Sequence, residues 1–289
     1  MVKIGTCVDF KTVDTLDAQF KTLVESGFDN CQFMCWRMEL MTEENAKKVK
    51  ELTDKYGVTI SALWCGWVGP AVWNFYEGQT TLGLVPPEYR WERVKNLCHG
   101  SDFAKMIGTT DVITHMGFIP ENPNDVNFRP FCDAVRYVAA YCKKNGQYLL
   151  FETGQETPVT LLRCFETVSN DRVCKDADVV IDNLGINLDT ANCILYGRAN
   201  PVDAIDVFGK YVRNLHAKDG KFPTDGHSLG AETKIGEGKV DFDAVIRDLH
   251  ALGYDRYITI EREITGDQQL KDILESKKYL ESIIEKYYK

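Results

Sequence analysis

Along the chain, apolar runs of seven to ten residues alternate with longer stretches whose hydrophobic positions recur every three to four residues. Runs of the first kind are too dense for a half-exposed strand and read as strands buried on both faces. They are VKIGTCVD (2–9), FDNCQFMCW (28–36), VTISALWCGW (58–67), TDVITHMGF (110–118), QYLLFETG (147–154), LGINLDTAN (184–192), YVRNLHAKD (211–219) and YITIERE (257–263). Between them lie helical patterns. TLDAQFKTLVESG places Leu16, Phe20, Leu23 and Val24 on one face and stops at Gly27, while TEENAKKVKELTDKYG opens on Thr42 and stops at Gly57. PEYRWERVKNLCHGSDFAKMIG is expected to carry Pro87 in its first turn; DAVRYVAAYCKKNG, PVTLLRCFETVS, PVDAIDVFGK, DFDAVIRDLHALG and QQLKDILESKKYLESIIEKYY complete the set.

Eight strand-then-helix units in 289 residues predict an α/β fold, a single (β/α)8 TIM barrel spanning residues 1–289. The competing doubly wound sheet wants a glycine-rich turn after its first strand, and TCVDFKTVD has none. The longest irregular stretches, WVGPAVWNFYEGQTTLGLVPP after the third strand and GKFPTDGHSLGAETKIGEGK after the seventh, follow strand C-termini. Barrel enzymes build their sites on that face, so these stretches are expected to form a lid or a pocket wall.

Composition narrows the function. Hydrophobic residues at 44% and charged residues at 27% describe an ordinary globular chain, and the net charge of −9 comes with no Lys/Arg run. Phosphate-backbone binding needs clustered cations, so nucleic acid is not an expected partner. MVKIGTCVDF begins on a strand pattern without the apolar core of a signal peptide, and no 18-residue apolar span follows. The expectation is a cytoplasmic protein with no membrane partner. Ten cysteines, at 7, 31, 35, 65, 98, 132, 142, 164, 174 and 193, form no C-x-x-C pair and read as reduced, half-buried small hydrophobes.

The chemistry is concentrated at strand ends. The fifth strand ends in Glu152, the sixth in Asp189, the seventh in His216 and the eighth in Glu261. Singly, each has a bland explanation: a solvated loop acid, a helix cap, a packed core histidine. Together, on consecutive strands of a barrel, they converge on one rim, where three carboxylates would repel one another unless a divalent cation joined them. Three oxygens and one nitrogen suit Mn²⁺, with Mg²⁺ and Co²⁺ as alternatives, better than a thiolate-bound zinc. His115 at the end of the fourth strand is a candidate extra base. Trp64, Trp67 and Trp73 are candidate wall residues for a sugar or aglycone, and Glu156, Asn192 and Lys218 candidate substrate contacts, Lys218 either meeting an oxyanion or pairing with Asp219. Gly236 and Gly238 in IGEGK read as turn residues before a helix capped near Asp241.

FETGQETP, NLDTANCILYG, VRNLHAKDG and IGEGKVDFDAVIRDLHALGYDRYITIERE resemble the strand 5 to 8 motifs of the xylose isomerase-like TIM-barrel superfamily, in its sugar phosphate isomerase/epimerase branch. The resemblance is dense over residues 145–265. It implies one Mn²⁺-type ion held by Glu152, Asp189, His216 and Glu261, with Glu152 and Glu261 as the acid/base pair of a ketose epimerase or isomerase. Two departures stand out: Thr190-Ala191-Asn192 where ketose 3-epimerases carry a histidine, and Lys218-Asp219 where they favour arginine. These count against a free ketohexose, and without a Lys/Arg cluster a phosphate group is not supported. A second reading uses the same enolisation to expel an aglycone, as in C-glycoside deglycosidase or 3-oxo-glycoside lyase catalytic subunits, which pair with a small β-rich partner subunit. An AP endonuclease, with its histidine-rich trinuclear zinc site, fits poorly a chain with five histidines. A non-catalytic sugar-binding barrel would not need all four ligands. Barrels of this kind commonly self-associate, which makes a homo-oligomer an expectation.

Overall fold

The computed structural model describes residues 2–170 and 180–288. Its eight barrel strands are β1 (Lys3–Asp9), β2 (Asn30–Cys35), β3 (Thr59–Cys65), β4 (Asp111–Thr114), β5 (Tyr148–Glu152), β6 (Leu184–Asp189), β7 (Val212–Ala217) and β8 (Tyr257–Ile260). All pair in parallel in sequence order, and β1 closes against β8 with Lys3 opposite Tyr257 and Thr6 opposite Ile260. The principal outer helices are α1 (Val13–Glu25), α2 (Glu43–Tyr56), α3 (Arg90–Ile107), α4 (Phe128–Lys144), α5 (Pro158–Ser169), α6 (Pro201–Phe208), α7 (Phe242–Ala251) and α8 (Asp267–Tyr287).

The helices form where the periodicity demands it. In α4, Phe131, Ala134, Val135, Val138, Ala139 and Cys142 fall on one buried face. Thr42 caps α2 by accepting from Asn45 N at 3.2 Å, and Gly57 ends it at φ 66°, a left-handed conformation that costs a side-chain-free residue little. The principal core lies between barrel and helices, and most of its residues are fully buried.

Three expected boundaries shift. Pro87 precedes its helix, which starts at Arg90. β4 ends at Thr114, so His115 stands one residue beyond it, and α4 begins at Phe128, five residues before the pattern that announced it. The sixth apolar run divides: Asp189 ends the strand and caps a further short helix, Thr190–Leu195. Cys174 lies outside the described residues, and the nine described cysteines are free thiols. No helix of the described residues is long and apolar enough to cross a membrane.

The long segment after β3 is anchored by α3. Arg93, fully buried, donates to the carbonyls of Val68 (3.2 Å), Pro70 (2.8 Å), Thr81 (2.8 Å) and Gly83 (2.7 Å). Gly83, at φ 65°, lies so close to Met116 that a Cβ there would sit 2.0 Å from its carbonyl carbon. This contact ties the segment to the exit of β4, where His115 sits.

Candidate metal centre

Barrel register brings the four strand-end residues together. Asp189 on β6 is opposite His216 on β7, which is opposite Thr259 on β8, two residues before Glu261. One ligand atom from each of Glu152, Asp189, His216 and Glu261 lies within 4.8 Å of the others. His216 Nδ1 is the hub, 3.3 Å from Glu152 Oε1, 3.3 Å from Glu261 Oε2 and 3.5 Å from Asp189 Oδ2. All four side chains are buried.

Three of the four have their other atoms occupied. Gln32 on β2, a residue that no sequence pattern singles out, donates through Nε2 to Asn187 Oδ1 at 3.0 Å. Its Oε1 therefore faces His216 Nε2, at 2.6 Å, and the hydrogen-bond network assigns the ring proton to Nε2. Nδ1 faces the carboxylates and, once it gives up its proton, can offer its lone pair to a metal. Asp189 splits its two oxygens: Oδ1 accepts from Asn192 N at 2.7 Å as a helix cap, and Oδ2 points into the cluster. On Glu152, Oε2 accepts from Trp64 Nε1 and Oε1 from Asn192 Nδ2 at 3.4 Å. His115 Nε2 is 3.6 Å from that same Oε1, and its Nδ1 meets Gln155 Nε2 at 3.3 Å.

Within the four-residue cluster two buried polar atoms have no hydrogen-bond partner, Asp189 Oδ2 and His216 Nδ1. Orphaned buried acceptors are costly, and these two face one point beside two more carboxylates. The donor set fits a divalent cation. The electrostatics agree: burial opposes charge on His216, but Glu261 and Glu152 outweigh it and raise its pKa well above the usual imidazole value. Burial alone would raise Glu261, yet the Lys218 ammonium and His216 hold it well below the usual carboxylate range. A cluster that attracts protons and an ammonium to this degree is one that favours a cation. Cys7 Sγ lies near His216 and Glu261, but burial pushes its thiol pKa well up, and the neutral thiol is a poor ligand.

Lys218 does not pair with Asp219. Its Nζ lies 3.0 Å from Glu261 Oε2, 3.1 Å from Glu263 Oε1 and 3.7 Å from Asp189 Oδ2. At Glu263 the Lys218 ammonium pulls the pKa down, while partial desolvation at the cavity and the nearby Glu261 charge outweigh it and raise the pKa above the usual carboxylate value. Asp219 turns the other way and fills a nest of backbone N–H groups. Gly236 and Gly238 each donate to its Oδ2 at 2.9 Å, and Gly220 and Val240 to its Oδ1 at 2.8 and 3.1 Å. The IGEGK turn thus holds the protein's own carboxylate, and Asp241 caps α7 as expected.

A cavity of about 370 Å³ opens above the cluster, lined among others by Trp64, Trp73, His115, Glu152, Asn192, Lys218 and Glu261. Trp67 and Glu156, both expected at the substrate, are not among its lining residues. Trp67 packs beneath Trp36, ring centroids 5.1 Å apart. Glu156 is buried, and desolvation raises its pKa to about 8. Trp36, Tyr196 and Glu263 line the cavity without having been anticipated. Trp36 ends an apolar run and Glu263 lies two positions past a ligand, so strand-end position was the available signal. The two long segments meet over the mouth: Phe75 N donates to His227 O at 3.0 Å, and Tyr76 stacks on the His227 ring at 5.0 Å.

The closed eight-stranded parallel barrel with a three-carboxylate, one-imidazole cluster on the rim at its strand C-termini defines the class. Residues 20–283 match the family described as xylose isomerase-like TIM barrel, and the chain belongs to it. Among solved structures it is similar to a xylose isomerase domain protein from Planctomyces limnophilus, with 29% identity, 99% of both chains covered and a TM-score of 0.87. It shares its fold with a D-tagatose 3-epimerase-like protein (21% identity, 99% and 98% covered, TM-score 0.72). A xylose isomerase-like TIM barrel protein from Mycobacterium smegmatis in complex with magnesium also has this fold (17% identity, 98% and 97% covered, TM-score 0.70).

Proposed function

We propose that this protein is a divalent-metal-dependent isomerase or epimerase of a carbohydrate ketone. The observation that carries the reading is the convergence of Glu152, Asp189, His216 and Glu261 with Asp189 Oδ2 and His216 Nδ1 left unpartnered. Family membership, the epimerase-like neighbour and the magnesium complex support it. Those four residues would hold the ion, Mn²⁺ first and Mg²⁺ or Co²⁺ as alternatives, and it would supply Lewis acidity to a ketone and its adjacent hydroxyl.

The chain's own groups handle the proton. Glu152 takes it from the carbon beside the ketone, its carboxylate aimed by Trp64 Nε1, Asn192 Nδ2 and His115. Glu261, kept ionised by Lys218, holds the opposite acid/base position. Return of the proton to the same carbon from the other face gives the epimer; return to the former ketone carbon, with the hydroxyl proton passing between the two adjacent oxygens, gives the isomer. The test is elemental analysis after purification in Mn²⁺, with solvent-deuterium incorporation into a panel of neutral ketoses. About one ion per chain, lost in Glu152→Gln/His216→Ala, together with exchange, supports the reading. Absence of bound metal in the wild type removes it.

A second reading is favoured by one observation. Trp64, Trp36 and Trp73 form a strip from the Glu152 contact out to the mouth, with ring centroids 4.8 and 6.2 Å apart and Trp73 40% exposed. Such a strip suits an apolar aglycone, and the same proton abstraction would then expel it, as in a 3-oxo-glycoside lyase or C-glycoside deglycosidase subunit. Product analysis on 3-oxo-glycosides against free ketoses separates the two.

A further inference from the structure

Glu263 stands outside the four-residue cluster yet lines the cavity. Its backbone N–H donates to both oxygens of Glu232, at 3.1 and 3.2 Å. Glu232 also pairs with Arg262 Nη1 at 3.0 Å, and Arg262 Nε with Asp272 at 2.9 Å. This clamp fixes the chain just past β8 and leaves the Glu263 side chain, 59% exposed, to reach over Lys218.

Lys218 is the one lysine or arginine among the cavity's lining residues, and it is buried. Without the Glu263 carboxylate, the ammonium and a divalent ion would lie side by side in the cavity, an arrangement that favours an anion. With Glu263 charged, four carboxylates face one ammonium, and even a bound divalent ion leaves the pocket net negative. The couple still suits a hydroxyl group, since the ammonium donates to its oxygen and the carboxylate accepts its proton.

Building on the isomerase reading, we propose that Glu263 sets the charge class of the substrate: paired with Lys218 it binds hydroxyl groups of an uncharged sugar and keeps phosphorylated and carboxylated sugars out. The residue is specificity-determining and takes no part in the proton transfer.

Inorganic phosphate is the probe, titrated by ³¹P NMR against Mg²⁺-loaded protein at about pH 8, where exposed carboxylates are ionised. Wild type is expected to bind it weakly. Glu263→Gln is expected to tighten binding about tenfold and Glu263→Lys about a hundredfold, while Glu285→Gln, removing a carboxylate on an exposed face of α8, changes nothing. If both Glu263 variants, folded by circular dichroism, bind phosphate no more tightly than wild type, or if Glu285→Gln gives the same gain, the proposal falls. Metal content measured on the same samples separates the two readings. A gain in Glu263→Gln without stoichiometric metal sinks the isomerase reading and keeps the charge assignment; full metal without a gain does the reverse.

Discussion

The two ends of the barrel bury acids in opposite ways. At the lower end, Asp111 opens β4 fully buried, and both its oxygens are satisfied. Oδ1 takes Arg213 Nε and Nη2 at 3.2 and 3.1 Å, and Oδ2 takes Asn214 Nδ2 at 3.0 Å and Arg256 Nη2 at 2.6 Å. At the upper end, Asp189 and His216 are equally buried and each keeps an unpaired atom aimed at a common point. Burial is the same; completion differs. A carboxylate whose partners are all protein is fastening the fold, whereas one whose partner is missing from the protein is prepared for something else.

The sharpest way to break this contrast is at the lower end. Asp111→Ala strands two arginines and should cost about 3–5 kcal/mol in denaturant unfolding, with Mn²⁺ stoichiometry unchanged in the folded fraction. Loss of metal there would mean the two ends are not separable.

Glu156 is a third case, an acid buried without a close counter-charge. Its folded pKa of about 8 lies above the ordinary carboxylate value of 4.5, so the folded chain holds a proton that the unfolded chain releases. The stability this contributes is complete below about pH 4.5 and is lost as pH rises through about 8. Between those limits wild type should lose on the order of 5 kcal/mol more than Glu156→Gln. Parallel stability–pH curves for the two proteins would refute the assignment.

At the upper end, Mn²⁺ at a hundredfold excess over its dissociation constant should stabilise wild type by about 2.7 kcal/mol. Asp189→Asn and His216→Ala should show little of this shift in thermal unfolding; an undiminished shift would place the ion elsewhere. The smallest effect belongs to Gln32→Leu, which removes the acceptor that fixes the His216 tautomer. Metal affinity should fall about 10–100-fold by isothermal titration while the ligand set stays intact.

The barrel was legible because parallel strands buried on both faces leave unbroken apolar runs, and the four clustered residues because each ends such a run on consecutive strands. What escaped was lateral. Gln32 is an ordinary polar residue on β2, and only barrel closure carries it across to His216. Trp67 and Glu156 share the strand-end neighbourhood of true lining residues, yet one packs beneath Trp36 and the other is buried away from the cavity. One-dimensional position marks the rim but not the direction a side chain takes from it. The same limit explains Lys218 and Asp219, adjacent in sequence and opposite in destination: one enters the cluster and the other fills the IGEGK nest.

Closure between β1 and β8 also governs when the site can exist. Thr6 Oγ1 donates to Ile260 O at 2.9 Å, joining residues 254 positions apart, and Glu261 follows directly. A chain emerging from the ribosome with Glu152, Asp189 and His216 already made still lacks the strand that protects the free edges of β1 and β7. Edge protection and the last residue of the cluster arrive together, in one long-range pairing. Until then the four-residue cluster is incomplete and two strand edges stand open to wrong partners.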